Sequence, residues 1–182
     1  MTIRETPLAG AFVIEPKVFE DHRGYFFESY NESSTEGTVL ANYNWVQENE
    51  SKSERGVLRG LHFQKGEYAQ AKLVRVIQGE VFDVAVDIRV SSPTYGQSFG
   101  ITLNDRNKMQ FLVPRGFAHG FLVLSETAIF SYKCDNFYNA NQEGGVIYND
   151  PALSIEWPQI EVPFNLSKKD IELPSFEDTY KF

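Results

Sequence analysis

A chain of 182 residues with 42% apolar and 14% aromatic side chains has the material for one well-packed domain, which argues against disorder and requires no second domain. Its 25 acidic against 17 basic residues, a net charge of −8, argue against general nucleic-acid binding, because that affinity depends on neutralising phosphates. No apolar run reaches membrane-spanning length, Met1–Gly10 has no apolar signal core, and the single cysteine, Cys134, excludes an intrachain disulfide, so a soluble cytoplasmic protein is expected.

Fifteen Phe and nine Tyr against two Met point to β-structure, where aromatic rings pack on a pleated surface. Residues 1–20 alternate weakly, Ala11 and Val13 against Phe12 and Ile14, and read as one or two short strands punctuated by Pro7 and Pro16. Asp21–Glu28 (DHRGYFFE) is a turn about Gly24, with Arg23 on it, feeding an aromatic strand on which Phe26 and Glu28 share a face. The polar stretch 31–42 predicts a loop or short helix; Trp45–Asn49 predicts a strand and Glu50–Arg55 a charged loop.

The stretch Gly56–Val90 organises the rest. It predicts three successive strands, with turns near Lys65–Gly66 and Gln78–Gly79. In the last strand Phe82, Val84, Val86 and Ile88 share one face while Asp83, Ala85 and Asp87 take the other. Further strands are predicted at Ser98–Leu103, Gln110–Val113 leading into Pro114–Leu124, Ala128–Tyr132 and Gly144–Tyr148. Of two helix candidates near the C-terminus, the better opens at Ser167 and ends before Pro174. No repeat or linker divides the chain, so residues 1–182 form a single domain. Many short strands between glycine-bounded turns predict an all-β, cupin-type jelly-roll barrel with short peripheral helices, mainly at the C-terminus.

The first two strands of the central stretch carry Arg59, His62, Gln64 and Lys72 close to a buried sheet, as a site for a polar anion would. Lys72 alternates with Val74 and Val76, which turns it inward, where an ammonium needs an anion to offset desolvation. Arg59 has the opposite parity to His62 unless Gly60 inserts a bulge. His62, and His119 in Pro-x-Gly-x-x-His, raise a metal reading, but Gln64 stands where a His-x-His pair needs its second imidazole. A histidine serves equally as a core residue, or as a general base if a carboxylate fixes its tautomer. Asp170 is one candidate partner, although Ser167-x-x-Asp170 also reads as a helix start, and Asp83 and Asp150 stand equally open. Tyr132 and Tyr138, of matching parity, are either packing residues or general acids.

Several motifs in order carry a resemblance: DHRGYFFE (Asp21–Glu28), GVLRGLHFQ (Gly56–Gln64), KLVRV (Lys72–Val76), GEVFDVAVD (Gly79–Asp87), PRGFAHGF (Pro114–Phe121), YKC (Tyr132–Cys134) and NDP with WP (Asn149–Pro151, Trp157–Pro158). Over nearly its whole length the chain resembles the dTDP-4-dehydrorhamnose 3,5-epimerases. The resemblance implies a homodimeric cupin jelly roll without metal or other cofactor, acting on dTDP-4-keto-6-deoxy-glucose. It implies His62 as base, Asp170 as its partner, Tyr132 as opposing acid and Lys72 beside the enolate. Arg23, Phe26, Glu28, Gln47, Asn49, Arg59, His119, Tyr138, Glu143 and Lys169 fall on substrate-contacting positions, the first three supplied to the partner's site. Two departures stand out: Glu50, where many members have histidine, and the loop Gly66–Ala69. The alternatives are an epimerase of C3 or C5 alone, a metal-dependent cupin oxygenase, and a sugar-binding module without turnover.

Overall fold

The computed structural model describes residues 1–182. Four short strands open the chain: β1 (Thr2–Glu5), β2 (Phe12–Glu15), β3 (Phe19–Asp21) and β4 (Gly24–Phe26). One helical turn, α1 (Glu32–Thr35), capped by the Asn31 side chain, and a 3-10 turn over Val39–Asn42 follow. Next come β5 (Gln47–Glu54), β6 (Leu58–Gln64), β7 (Lys72–Gln78) and β8 (Glu80–Asp87). Then come β9 (Ser98–Asn104), β10 (Gln110–Val113), β11 (Phe117–Val123) and β12 (Thr127–Cys134). A short strand, β13 (Glu143–Gly145), and a single turn, α2 (Lys168–Ile171), complete the set.

Pairing from β5 to β12 is nested and antiparallel: β8 with β9, β7 with β10, β6 with β11, β5 with β12. A long ribbon doubled back and rolled up produces this order, so the fold is the all-β jelly roll the sequence predicts. Cross-pairing of β7 with β12 and β8 with β11 gives two sheets, β1-β2-β10-β7-β12-β5 and β13-β6-β11-β8-β9. Strands β3 and β4 form a separate ribbon outside both.

Alternation along β8 decides what enters the roll. Val81 and Ala85 point between the sheets and join Val74, Val76, Phe111, Phe121 and Phe130 in the main core. Phe82, Val84 and Val86, with Ile88 just beyond the strand, share the opposite face and are covered by Trp157, Phe176 and Phe182 of the C-terminal segment. Because both faces of β8 are buried, Asp83 is carried into the interior with no exposed surface.

The charged loop expected over Glu50–Arg55 is instead the second half of β5. That strand pairs with β12 along its whole length, from Gln47 opposite Cys134 to Glu54 opposite Thr127. Glu48, Glu50, Lys52 and Glu54 face outward and Gln47, Asn49, Ser51 and Ser53 inward. Both faces are polar, so an apolar period could not reveal the strand. Two smaller differences concern the ends. The strand expected at Gly144–Tyr148 is Glu143–Gly145, and the α-helical turns lie toward both termini, at 32–35 and 168–171, rather than mainly at one.

Candidate active site

A cavity of about 540 Å³ opens between the two sheets. Arg59 and His62 enter it from β6 and His119 from β11, in the five-stranded sheet; Lys72 on β7 and Tyr132 on β12 enter from the six-stranded sheet. Lys169 and Asp170 reach it from α2. Arg59 and His62 face the same space because a step of three residues along β6 opposes a step of two along β11, between the His62–His119 and Arg59–Phe121 pairs. Gly60 makes that bulge. Its φ is +117°, and a Cβ there would sit 2.7 Å from the Gly120 Cα.

His62 Nε2 lies 2.6 Å from Asp170 Oδ1, with the histidine side chain 34% exposed and the aspartate 5%. The ring N–H points off the line to that oxygen, as acid–base pairs commonly do before substrate tightens them. With Nε2 turned to the carboxylate, Nδ1 keeps the free lone pair. Burial pushes the Asp170 carboxyl up, but the His62 ring at 2.6 Å, with hydrogen bonds from Ser167 and Gly60, outweighs it and holds the group at about 2. Asp170 also completes a capping box with Ser167 at the start of α2, so both of its sequence readings are realised. The competing aspartates are engaged elsewhere: Asp150 accepts from the backbone N–H groups of Ala152 and Phe176, and Asp83 holds His119.

His119 and Asp83 form a second pair, with Nε2 at 2.9 and 3.0 Å from the two carboxylate oxygens. Burial pulls the His119 imidazole down against the pull of Asp83, and pushes Asp83 up against His119 and Lys72. Desolvation likewise lowers the Lys72 ammonium, which Cys134 and Asp83 partly restore. Lys72 Nζ stands 5.8 Å from the centre of the Tyr132 ring. Burial raises the Tyr132 phenol, and Cys134 adds to this, while Asn49 and Arg59 pull it the other way, so it is protonated at neutral pH.

Of the remaining expected contacts only Lys169 lines the cavity; Gln47, Asn49, Tyr138 and Glu143 are linked to it and to one another without lining it. Lys169 Nζ donates to Glu143 Oε2, and Tyr138 stands beside Glu143. The Tyr138 N–H donates to Gln47 Oε1, and the Gln47 amide donates to Asn49 Oδ1. Arg23, Phe26 and Glu28 do not reach the cavity of their own chain. Arg23 pairs with Asp21, Phe26 is 65% exposed, and Glu28 accepts from Asn31. Conversely, Ser51 and Ser167 line the cavity, and Ser53 accepts from Arg59 Nε at 3.1 Å, all unforeseen. Ser51 and Ser53 continue the inward parity of Gln47 and Asn49, which only the pairing of β5 with β12 brings out. Glu50 faces outward on β5, and Gly66–Tyr68 forms a 3-10 turn that does not line the cavity. No three His, Cys, Asp or Glu side chains are grouped to hold a metal, and Gln64 Oε1 accepts from the Asn139 N–H.

A histidine–carboxylate pair reaching the cavity on one side and a phenol reaching it from the opposite sheet, within a cupin-like β fold, place the chain among the cupin-like isomerases. The family profile of dTDP-4-dehydrorhamnose 3,5-epimerase matches residues 5–178. The enzyme of that name from Salmonella typhimurium is 52% identical over 174 residues, covering 96% of this chain and 94% of its own. A crystal structure of the Elizabethkingia anophelis dTDP-4-dehydrorhamnose 3,5-epimerase superposes with a TM-score of 0.91 at 57% identity, over 98% of this chain and 97% of that one. A dTDP-6-deoxy-D-glucose-3,5-epimerase from Legionella pneumophila, solved in complex with dTDP-4-keto-L-rhamnose, superposes at 0.93 with 46% identity, over 97% and 93%. This chain belongs to the dTDP-4-dehydrorhamnose 3,5-epimerase family and is an isomerase of sugar nucleotides.

Proposed function

We propose that the chain inverts C3 and C5 of dTDP-4-dehydro-6-deoxy-D-glucose, yielding dTDP-4-dehydro-L-rhamnose for L-rhamnose biosynthesis. The observation that carries this reading is the opposition of His62 on one sheet, backed by Asp170 of α2, and the Tyr132 phenol on the other. C3 and C5 both flank the C4 ketone, so loss of either proton gives an enolate. His62 Nδ1 takes the proton, and ionised Asp170 stabilises the imidazolium. The enolate oxygen brings a further anion to desolvated Lys72, and Lys72 in turn stabilises it. Tyr132 then protonates the opposite face, which inverts the carbon, and the two side chains exchange their protons with solvent before the next turnover.

Arg59, anchored through Nε to Ser53, presents its remaining N–H groups to the diphosphate, joined by Lys169 once the nucleotide competes with Glu143. His119, Gln47 and Asn49 contact the sugar and Tyr138 stacks on the base. Arg23, Phe26 and Glu28 act in trans, in a homodimer whose β3–β4 ribbon enters the partner's cavity. In support, Phe19, Tyr25 and Phe26 leave the ribbon 52%, 56% and 65% exposed, an apolar surface that calls for a cover. Proton transfer by these groups requires no metal or organic cofactor, and the reaction is assigned to the cytoplasm.

The test follows isotope content and configuration together in deuterated water. Tyr132→Phe keeps the ring packing and removes the acid, so exchange persists at one or both carbons while inversion falls by about two orders of magnitude or more. A variant that inverts C3 and C5 as fast as it exchanges them sinks the assignment. Product analysis carbon by carbon separates two-carbon from single-carbon inversion. Mixing His62→Asn with Arg23→Ala subunits restores activity only if Arg23 acts across the dimer.

A further inference from the structure

Ser167 does more than start a helix. Its hydroxyl donates to Asp170 Oδ2 at 2.6 Å while accepting from the Asp170 N–H at 3.2 Å, and its own N–H reaches Oδ2 at 3.3 Å. The other carboxylate oxygen, Oδ1, faces His62 Nε2 at 2.6 Å and the Gly60 N–H at 3.3 Å. One oxygen is thus held by the helix cap and the other is offered to the histidine.

We propose that Ser167 is a positioning residue for epimerisation, fixing the Asp170 carboxylate through Oδ2 so that Oδ1 stays on His62 Nε2. The proposal rests on His62 being the base. A carboxylate turns about an sp³–sp² torsion, whose preferences are broad, so its orientation must come from its partners. Without the hydroxyl, Oδ2 keeps only the N–H at 3.3 Å, and rotation carries Oδ1 off the imidazole. The ring then loses the contact that keeps the proton on Nε2 and the lone pair on Nδ1. Helix α2 is a single turn, too short to persist alone, so its cap and the carboxylate that faces the base are secured by the same side chain.

The competing view is that Ser167 only caps the helix. Glycine separates the two, because it is nearly as good a cap as serine, whereas alanine is poor. Ser167→Gly, Ser167→Ala and Ser167→Thr are compared with wild type and His62→Asn by exchange and inversion in deuterated water across substrate concentrations. Ser167→Gly lowers kcat about tenfold, the scale of a lost hydrogen bond to a charged group. Its KM stays within about twofold, and Ser167→Thr, which restores the hydroxyl, stays within about twofold of wild type in both constants. Ser167→Ala falls at least as far as Ser167→Gly; if it fails to fold, the glycine and threonine variants decide. Wild-type kcat in Ser167→Gly overturns the proposal in favour of a plain cap. A raised KM at unchanged kcat overturns it in favour of a substrate contact. Should His62→Asn exchange at the wild-type rate, the assignment of the base fails; an inactive His62→Asn beside a wild-type Ser167→Gly removes the role of Ser167 alone.

Discussion

Two histidine–carboxylate pairs face one cavity from adjacent strands, and His62 and His119 are direct partners in the β6–β11 register. Their surroundings separate them. The His62 side chain is 34% exposed and its aspartate gathers donors from Ser167 and Gly60. The His119 side chain is 6% exposed, and both oxygens of Asp83 share its single Nε2. Desolvation therefore pulls His119 down and pushes Asp83 up, whereas Asp170 is held ionised at about 2. The same two functional groups make a partly exposed imidazole with an anionic partner in one place and a fully buried pair in the other. Water and surplus donors, rather than the residue types, set the difference.

The sharpest break between the pairs comes from His62→Asn. Exchange at both carbons drops by about three orders of magnitude or more, the upper scale of general-base loss, while the thermal midpoint holds because the ring is partly exposed. Exchange at the wild-type rate would refute the role of His62. Asp83→Ala has the opposite profile. Removing the carboxylate leaves the buried imidazole unpaired, and urea titration shows about 3 kcal/mol of lost stability. An unchanged denaturation midpoint contradicts the reading of that pair as a structural post.

Asp170→Asn keeps the shape and removes the charge behind His62, and lowers kcat by about two orders of magnitude, less than the loss of the base itself. A smaller effect appears in acid. Asp170 sits at about 2 in the fold against an ordinary 3.8. A carboxylate depressed by folding contributes stability that is complete above its unfolded value and disappears as pH falls through its folded value. Between about pH 4 and pH 2 the wild type therefore loses about 2 kcal/mol that Asp170→Asn does not lose, measurable as converging urea midpoints. Parallel curves for the two proteins exclude this contribution. Least of all, Glu50→His changes kcat/KM by less than about twofold, since residue 50 faces away from the cavity of its own chain. A larger change places that face against substrate or partner.

Much of this was legible because the signal is local. Alternation in β8, the glycine at the Gly60 bulge and the Ser167 cap each depend on a few neighbouring residues, and each forms as read. The motifs of β6 and β11 likewise brought Arg59, His62 and His119 into view before any contact was known. The second half of β5 was not legible, because a polar strand takes its pairing from β12, some 80 residues away in sequence. The place of the β3–β4 ribbon was not legible either: it lies outside both sheets, with Arg23 turned to Asp21 and Phe26 65% exposed.

By itself, then, the sequence determined the roll, the division of β8 into two faces and the identity of both site histidines, since side-chain period and turn chemistry act over short range. The residue pattern left Asp170, Asp83 and Asp150 open, the resemblance pointed to Asp170 for His62, and only the tertiary structure showed which aspartate stands beside which histidine. Asp170 reaches His62 from 108 residues along the chain and Asp83 reaches His119 from 36, and that choice depends on how the nested strands and α2 come together. It also decided which pair stays wet. Burial is a sum over everything packed around a group, and no local pattern of residues contains it.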